Sequence, residues 1–366
     1  MKKLAVLLMA AMVMSFAAPS FAARVVTDED GFKVTLPDKI ERVAIAGILP
    51  FASVVTVFLN SAKKIVGIPP ASMGAAKAGL LGELFPDILK AQTGFTSGSD
   101  INIEELMTLR PDIVFYLAGD KEMGKKIRAA GLTAVAISPT KWNYDVLRTY
   151  DEWIKTLSQI FPESAKSREA SAYSKSVYAD VQKKVKNIKP EARKKVLYLF
   201  QYDDKKIVTS GKSFFGQYWC DAVGAKNAAE EVPAENMNAV ITMEQVYKWN
   251  PDVIFITNFT PALPEDLYSN KTPGRDWSGV RAVKNKAVYK MPLGTYRSYT
   301  PGIDTPVTLL WTAQKVYPQL FKNVDIEKET RGYYKKIYGV TLTDKQVKQV
   351  FNQGRASASG YVNQTK

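Results

Sequence analysis

Short apolar runs alternate with longer amphipathic stretches along most of the chain. The runs are rich in Val and Ile, and turn-forming residues follow most of them. This alternation predicts a parallel α/β sheet whose strands are buried on both faces. The predicted strands are residues 42–46, 65–68, 113–117, 134–137, 195–200, 253–256 and 287–290, with a helix at 51–59 after the first. Residues 24–36 alternate around Asp30-Gly31 and predict a β-hairpin.

One helical stretch, residues 162–187, is much longer than the others. Val177, Val181 and Val185 recur at helical spacing, and Pro190 follows the stretch. At about 1.5 Å per residue it would span on the order of 37 Å, which favours a rigid strut over a flexible linker.

The strut divides the chain into the following segments. Residues 1–22 form a signal peptide, 23–160 an N-terminal α/β lobe, 161–190 the connecting helix, 191–339 a C-terminal α/β lobe, and 340–366 a C-terminal extension that we expect to be partly disordered. The last dozen residues are rich in Ser, Gly, Asn and Gln, and we expect them to be frayed.

The two α/β regions share an internal repeat. Residues 101–115 align with residues 241–255 without a gap, and the Ile, Glu, Pro, Asp and Phe at matching positions are identical. Each copy predicts a helix, a Pro-Asp turn and a buried strand. Glu104 and Glu244 occupy the same place near the helix start. There they complement the helix dipole, or they form a pair of acidic contacts on one rim of the protein.

The N-terminus has the pattern of an export signal. Lys2 and Lys3 precede an apolar run over residues 4–18, and Ser20 and Ala22 are small residues at the cleavage positions. The run is shorter than the roughly 20 residues that span a bilayer. No cysteine follows it to carry a lipid anchor. We therefore expect a cleaved signal peptide and an unanchored protein in the periplasm.

Charge and residue usage narrow the function classes. The chain has 50 Lys and Arg against 36 Asp and Glu, a net charge of +14, which becomes +12 when Lys2 and Lys3 are removed with the signal. Basic residues concentrate at 183–195 without interleaved aromatics, and the protein is exported, so we expect no nucleic-acid partner. The cluster indicates a solvated helix face, while attraction of an anionic ligand or an anionic membrane surface stays open.

Two residue types that carry much enzyme chemistry are nearly missing. Histidine is absent and Cys220 is the single cysteine, which excludes Ser-His-Asp and Cys-His catalysis and histidine-rich zinc or manganese sites. Cys220 lies on an apolar helical stretch, where we expect a small buried side chain. We expect neither a resident metal nor a cofactor.

Ligands of α/β proteins bind beyond the carboxyl ends of the strands, and in two-lobed proteins also between the lobes. The loop at residues 294–302 places Arg297 between Tyr296 and Tyr299. A guanidinium fork flanked by tyrosine rings suits a planar or multiply charged anion. Among the other aromatic and cationic residues of the loops that this rule nominates, we take Phe51, Tyr116, Tyr202 and Lys212 as candidate ligand contacts.

The repeat, the strut, residues 281–289 and residues 306–321 together resemble the periplasmic binding proteins of iron-chelate and vitamin B12 ABC importers. The resemblance covers about residues 24–339 and implies a class III fold with two lobes joined by one long helix. In that family the glutamate of each repeat helix docks onto arginines of the permease. The resemblance therefore implies docking roles for Glu104 and Glu244.

The resemblance also implies a monomeric receptor that delivers its ligand to an inner-membrane ABC permease and its ATPase. A ferric siderophore or similar metal chelate is the favoured ligand. A molybdate or tungstate oxyanion, held by arginine, backbone amides and hydroxyls, competes with it, as do cobalamin and haem. An exported enzyme that uses Asp203 and Asp204 as acid and base is a distant alternative, because nothing pairs them with a nucleophile.

Overall fold

The computed structural model describes residues 24–98, 100–164, 166–234 and 239–361. The expected signal peptide lies outside the described residues. The strands are β1 (Val25–Thr27), β2 (Lys33–Thr35), β3 (Val43–Ala46), β4 (Ile65–Gly67), β5 (Thr96–Ser97), β6 (Asp100–Ile101), β7 (Ile113–Leu117), β8 (Ala134–Ile137), β9 (Lys195–Leu199), β10 (Gln201–Tyr202), β11 (Ile207–Val208), β12 (Lys226–Asn227), β13 (Val240–Ile241), β14 (Val253–Ile256) and β15 (Val288–Lys290).

The helices follow the strands in the alternation that the sequence predicts. They are α1 (Phe51–Leu59), α2 (Pro70–Ala78), α3 (Leu80–Leu84), α4 (Ile103–Thr108), α5 (Lys121–Ala129), α6 (Val146–Ile160), α7 (Ser167–Val185), α8 (Phe215–Ala222), α9 (Met243–Trp249), α10 (Pro264–Tyr268), α11 (Arg281–Lys284), α12 (Thr305–Val316), α13 (Ile326–Tyr338) and α14 (Asp344–Phe351). Short 3-10 turns lie at Pro86–Lys90, Pro162–Ser164, Pro190–Ala192 and Arg355–Ala358.

The N-terminal lobe is built on a four-stranded parallel sheet in the order β4-β3-β7-β8. In the register of the central pair, Ala44 lies beside Val114. All side chains of β3 and β8 are buried, as the uninterrupted apolar runs predicted. The hairpin is confirmed, because β1 and β2 pair antiparallel across the Asp30-Gly31 turn.

The C-terminal lobe repeats this design. Its parallel sheet has the order β12-β9-β14-β15, and a smaller antiparallel sheet, β10-β11-β13, lies beside it. Cys220 is buried in α8, in agreement with the sequence. Leu49, just beyond β3, and Phe259, just beyond β14, pack in one hydrophobic cluster, so the carboxyl ends of these two strands lie on the side where the lobes meet.

The internal repeat folds as predicted in both lobes. Asn102 and Thr242 cap the starts of α4 and α9 by accepting hydrogen bonds from backbone amides three residues on. In the Pro-Asp turns, Asp112 accepts from the amide of Arg42 and Asp252 accepts from the amide of Lys195. Each aspartate therefore links its repeat to the start of the neighbouring strand in the sheet, β3 in the N-terminal lobe and β9 in the C-terminal lobe.

The connecting helix α7 is shorter than the sequence suggested. Its 19 residues span about 28 Å, because Pro162–Ser164 is a separate 3-10 turn and the helix ends at Val185. Val181 and Val185 face the C-terminal core, and Ala170 faces the N-terminal core. One helix therefore contributes buried side chains to both lobes.

The chain does not stay in the C-terminal lobe up to residue 339. Tyr333, Tyr334 and Ile337 of α13 and Val347 of α14 belong to the hydrophobic core of the N-terminal lobe. The apolar face of α13 therefore packs in the N-terminal lobe, as do Ile303 and Val307 before it.

The end of the chain is packed rather than frayed as far as Tyr361. Ser357 and Ala358 are each 1% exposed, and Tyr361 is buried as well. Residues 362–366, the rest of the expected frayed tail, lie outside the described residues. Among the helices that the structure describes, none is both long and apolar enough to cross a bilayer.

Candidate functional site

The segments that follow the strands of the two parallel sheets meet between the lobes. Ala71 and Leu147 of the N-terminal lobe share one apolar cluster with Phe214, Phe259 and Tyr299 of the C-terminal lobe. The Leu80 amide donates a hydrogen bond of 2.8 Å to the carbonyl of Gly294 across the same boundary. The cleft expected from the sequence is thus a closed interface in this structure.

Arg297 lies at the centre of this interface and is 1% exposed. Its guanidinium donates to the carbonyl of Ala71 at 3.0 Å and to that of Asn258 at 2.9 Å, so it joins the lobes directly. It also donates to the carbonyls of Ser357 and Ser359, at 3.0 and 2.7 Å. The residue that the sequence singled out is therefore a hub between three distant segments.

The two tyrosines beside Arg297 have different surroundings. The Tyr296 hydroxyl accepts a hydrogen bond from Arg297 at 3.2 Å. Tyr299 is fully buried among aromatic rings, and its hydroxyl accepts from the Gly216 amide at 3.1 Å. Burial raises the pKa of both phenols, so both are neutral at physiological pH.

The residue after Arg297 has a buried hydroxyl, and a second cation lies near the arginine. The Ser298 hydroxyl is buried and has no hydrogen-bond partner in the described residues. Lys290 is also buried and donates to the carbonyls of Thr257, Thr260 and Ala262 at 2.6 to 2.9 Å. Burial, with the nearby Arg297 second, lowers the pKa of Lys290 to about 7. Cationic groups are thus concentrated on the C-terminal side of the cleft.

Lys212 lies at the edge of the cleft. Its residue is exposed, two positions before Phe214. The rings of Phe214 and Phe215 pack edge-on against Tyr144 of the N-terminal lobe, at centroid distances of 5.9 and 5.3 Å. Lys212 therefore presents a solvent-accessible charge next to an interlobe aromatic contact.

The other three nominated residues are packed inside single lobes. Phe51 lies edge-on to Phe115 and Trp153 in the N-terminal core. Tyr116 is buried on the other face of the same sheet, where its hydroxyl donates to Asp30. Tyr202 accepts a hydrogen bond from the Trp277 indole within the C-terminal lobe. Their ligand roles stay predictions that this packing does not favour.

Sequence reasoning missed Lys290, Ser298 and the C-terminal segment that reaches Arg297. Lys290 ends a buried strand, and a cation in that place needs polar partners. That was a usable signal. Ser298 and the C-terminal segment carried no such signal, because the sequence of a serine in a loop or of a Ser-Gly tail does not tell whether the segment is buried or exposed.

The two repeat glutamates are exposed near the starts of α4 and α9. A hydrogen bond from Thr242 lowers the pKa of Glu244, which keeps that carboxylate charged. Met107 and Tyr247, three residues further along each helix, are also exposed, by 49% and 45%. Each lobe therefore displays an acidic and an apolar side chain at equivalent places.

A second concavity lies away from the strand ends. A groove of about 770 Å³ runs between α6 and α7, and Asp151, Ser174 and Tyr218 are among the residues that line it. Burial raises the pKa of Asp151, and Ser171 donates a hydrogen bond to it. Within the described ranges, no group of three or more acidic, histidine or cysteine side chains is placed to hold a metal ion.

Two α/β lobes, a bridging helix and a polar, cationic interface at the strand ends define a two-lobed binding protein. The chain belongs to the periplasmic binding protein family, whose model matches residues 55–293. Its fold is that of the class III members, and it is the substrate-binding protein of an ABC importer, a component that works with a permease and an ATPase.

Named relatives extend the comparison. The molybdate-binding protein MolA of Haemophilus influenzae is 27% identical over 92% of this chain and 97% of its own length. The Fe(3+)-citrate-binding protein YfmC of Bacillus subtilis is 26% identical over 81% of this chain and 86% of its own length. A periplasmic solute binding protein from Veillonella parvula has a similar structure, with a TM-score of 0.80 and 29% identity over 94% of this chain and all of that one.

Proposed function

We propose that the protein captures a small tetrahedral oxyanion of the molybdate or tungstate type between its lobes and delivers it to the permease. The observation that carries the proposal is the buried Arg297 between the lobes, followed in the chain by Ser298, whose hydroxyl is buried without a hydrogen-bond partner in the described residues. Arginine, hydroxyls and backbone amides are sufficient to hold such an anion.

Size favours this ligand over a large chelate. The interlobe contacts, including the Leu80 to Gly294 bond, leave the lobes in direct contact. A compact anion needs only a small separation of the lobes, whereas a siderophore needs a wide one, which the bridging helix opposes. The resemblance to MolA over nearly the whole chain supports the same choice.

A ferric siderophore or ferric citrate is the second candidate. The exposed Lys212 beside the interlobe rings of Phe214 and Phe215 supports it, because a cation next to aromatic surface suits an anionic chelate. The relative YfmC is a Fe(3+)-citrate-binding protein. In this case the ligand would bind at the edge of the cleft rather than at Arg297.

We also propose that the protein binds without turning over its ligand, that its signal peptide is cleaved, and that it carries no lipid anchor.

For docking we propose that Glu104 and Glu244 contact basic residues of the permease. Their exposure at equivalent places on the two lobes supports this role. A pair of acidic contacts would let the permease separate the lobes and release the ligand.

The test compares molybdate binding by wild type, Ser298→Ala and Ser269→Ala in titration calorimetry. Ser269 is an exposed serine of the C-terminal lobe whose hydroxyl bonds to Glu265, so it is a matched control. Loss of one hydrogen bond to a charged ligand costs about 1.5 kcal/mol, so we expect Ser298→Ala to bind about tenfold more weakly and Ser269→Ala to bind normally. Equal affinity of all three would contradict the proposed site.

A further inference from the structure

The C-terminal strap, residues 354–361, touches both lobes. Its anchor lies in the N-terminal lobe, because Val347 and Val350 of the preceding helix α14 are buried in that core. Gln346 adds a hydrogen bond of 2.9 Å to Glu83 of α3. The strap therefore follows a helix whose apolar face packs in the N-terminal core.

The strap also lies directly on the backbone of α2. A Cβ on Gly74 would overlap the carbonyl oxygen of Ser359 and would lie 2.6 Å from its carbon. A Cβ on Gly360 would lie 2.6 Å from the carbonyl oxygen of Pro70. Glycine at both positions permits this approach, and Gly360 also has a positive φ of 78° that favours glycine.

Polar contacts fix the other side of the strap to the C-terminal lobe. Arg355 forms two hydrogen bonds of 2.6 Å with the carboxylate of Asp266, and Arg297 donates to two strap carbonyls. Tyr361 packs edge-on against Phe259, with ring centroids 4.8 Å apart. The strap thus accepts two of the five hydrogen bonds that the guanidinium of Arg297, the arginine of the proposed ligand site, donates in this structure.

The two attachments differ in strength. The α14 side is an apolar core contact whose loss exposes several buried side chains. The C-terminal side depends on hydrogen bonds, one edge-on ring contact and an ion pair whose arginine is 45% exposed. We therefore expect the contacts with the C-terminal lobe to break first when the lobes separate.

We infer that the strap is a built-in clasp that holds the lobes together without ligand and must release Arg297 before the cleft opens. The inference rests on the proposed function only in taking Arg297 as part of the ligand site. The clasp would set how often the cleft opens, and hence how fast a ligand enters. An anion that replaces the strap carbonyls at Arg297 would compete directly with the clasp.

The test follows hydrogen exchange at the Leu80 amide by NMR in the ligand-free, full mature chain. This amide bonds to Gly294 across the lobes and exchanges only when they part. We expect Arg355→Ala and Tyr361→Ala each to accelerate its exchange about tenfold. Lys271→Ala is the matched control, because Lys271 also lies near Asp266, at 3.8 Å, but is outside the strap.

Amides of the buried strand β14 give the second readout. Faster exchange at Leu80 with unchanged β14 supports the clasp. Unchanged exchange at Leu80 in both strap variants overturns it. Faster exchange in β14 as well would show that the strap is part of the folding core, and this would also overturn the clasp. A strap variant that fails to fold would have the same meaning.

Stopped-flow binding of molybdate to the same variants separates the clasp from the proposed function. We expect the association rate to rise in the Arg355 and Tyr361 variants and to stay unchanged in the Lys271 control. If Leu80 exchange responds but molybdate never binds, the clasp stands and the oxyanion proposal fails. If molybdate binds to wild type and exchange does not respond, the oxyanion proposal stands and the clasp fails.

Discussion

Gly74 offers a sharp test of how tightly the C-terminal strap packs on the N-terminal lobe. It lies inside α2, where alanine is a better helix former by about 1 kcal/mol. An added methyl group would, however, overlap the Ser359 carbonyl. Gly332 is the matched control, because it lies inside α13 and an added Cβ there meets nothing within 4 Å.

The two changes should have opposite signs. At Gly332 the helix propensity acts alone, so Gly332→Ala should raise the free energy of unfolding by about 0.5–1 kcal/mol. At Gly74 the overlap is with backbone, which cannot rotate away, and overpacking typically costs about 1–3 kcal/mol. We expect Gly74→Ala to lower the free energy of unfolding by about 1 kcal/mol, about 2 kcal/mol below the control.

Urea unfolding followed by tryptophan fluorescence measures both variants against wild type. The midpoint should move down for Gly74→Ala and up for Gly332→Ala. Gly74→Ala should also speed exchange at the Leu80 amide, because the displaced strap no longer holds Arg297. Equal stabilisation by both substitutions would refute the reasoning, since it would mean that the strap does not lie on α2.

Three further predictions concern single groups. Burial raises the pKa of the Glu29 carboxyl from 4.5 to about 7, so between these pH values the folded state keeps a proton that the unfolded state loses. The free energy of unfolding of wild type should therefore fall by up to about 3 kcal/mol as pH rises from 4.5 to 7. Urea unfolding of Glu29→Gln across that range should not show this fall. Arg297→Lys should lower the free energy of unfolding by about 3 kcal/mol in the same assay, because one ammonium group cannot donate to carbonyls of three segments at once. An unchanged free energy of unfolding would contradict the role of Arg297 in joining these segments. Replacing both Glu104 and Glu244 by Arg should abolish uptake in cells while molybdate affinity in calorimetry stays unchanged, and a lost affinity would contradict the docking role.

The secondary structure was largely predictable because the strands are buried on both faces. The bounds of β7, β8, β14 and α1 agree with the sequence to the residue. Continuous apolar runs of this kind indicate buried strands. The internal repeat indicated that the two lobes contain the same helix-turn-strand unit. Local patterning was sufficient wherever the environment of a segment is apolar.

The site was less predictable because its partners are backbone atoms far away in the chain. Arg297 was identified from its loop, yet it bonds to Ala71, which is 226 positions earlier. Carbonyl oxygens carry no residue-type signal, so no pattern could show that the lobes close on this side chain. The strap was missed for the same reason, since its glycine and serine residues contact α2 through backbone atoms.

The central claim is that the cleft captures a small oxyanion. The most direct measurement is a calorimetric titration of the mature chain, residues 23–366, with molybdate, and in parallel with ferric citrate and a ferric catecholate, each at low and high salt. We expect one molybdate to bind per chain, more weakly at high salt because cations hold it. Tight binding of a ferric chelate with no binding of molybdate would contradict the claim and move the ligand to the aromatic edge beside Lys212.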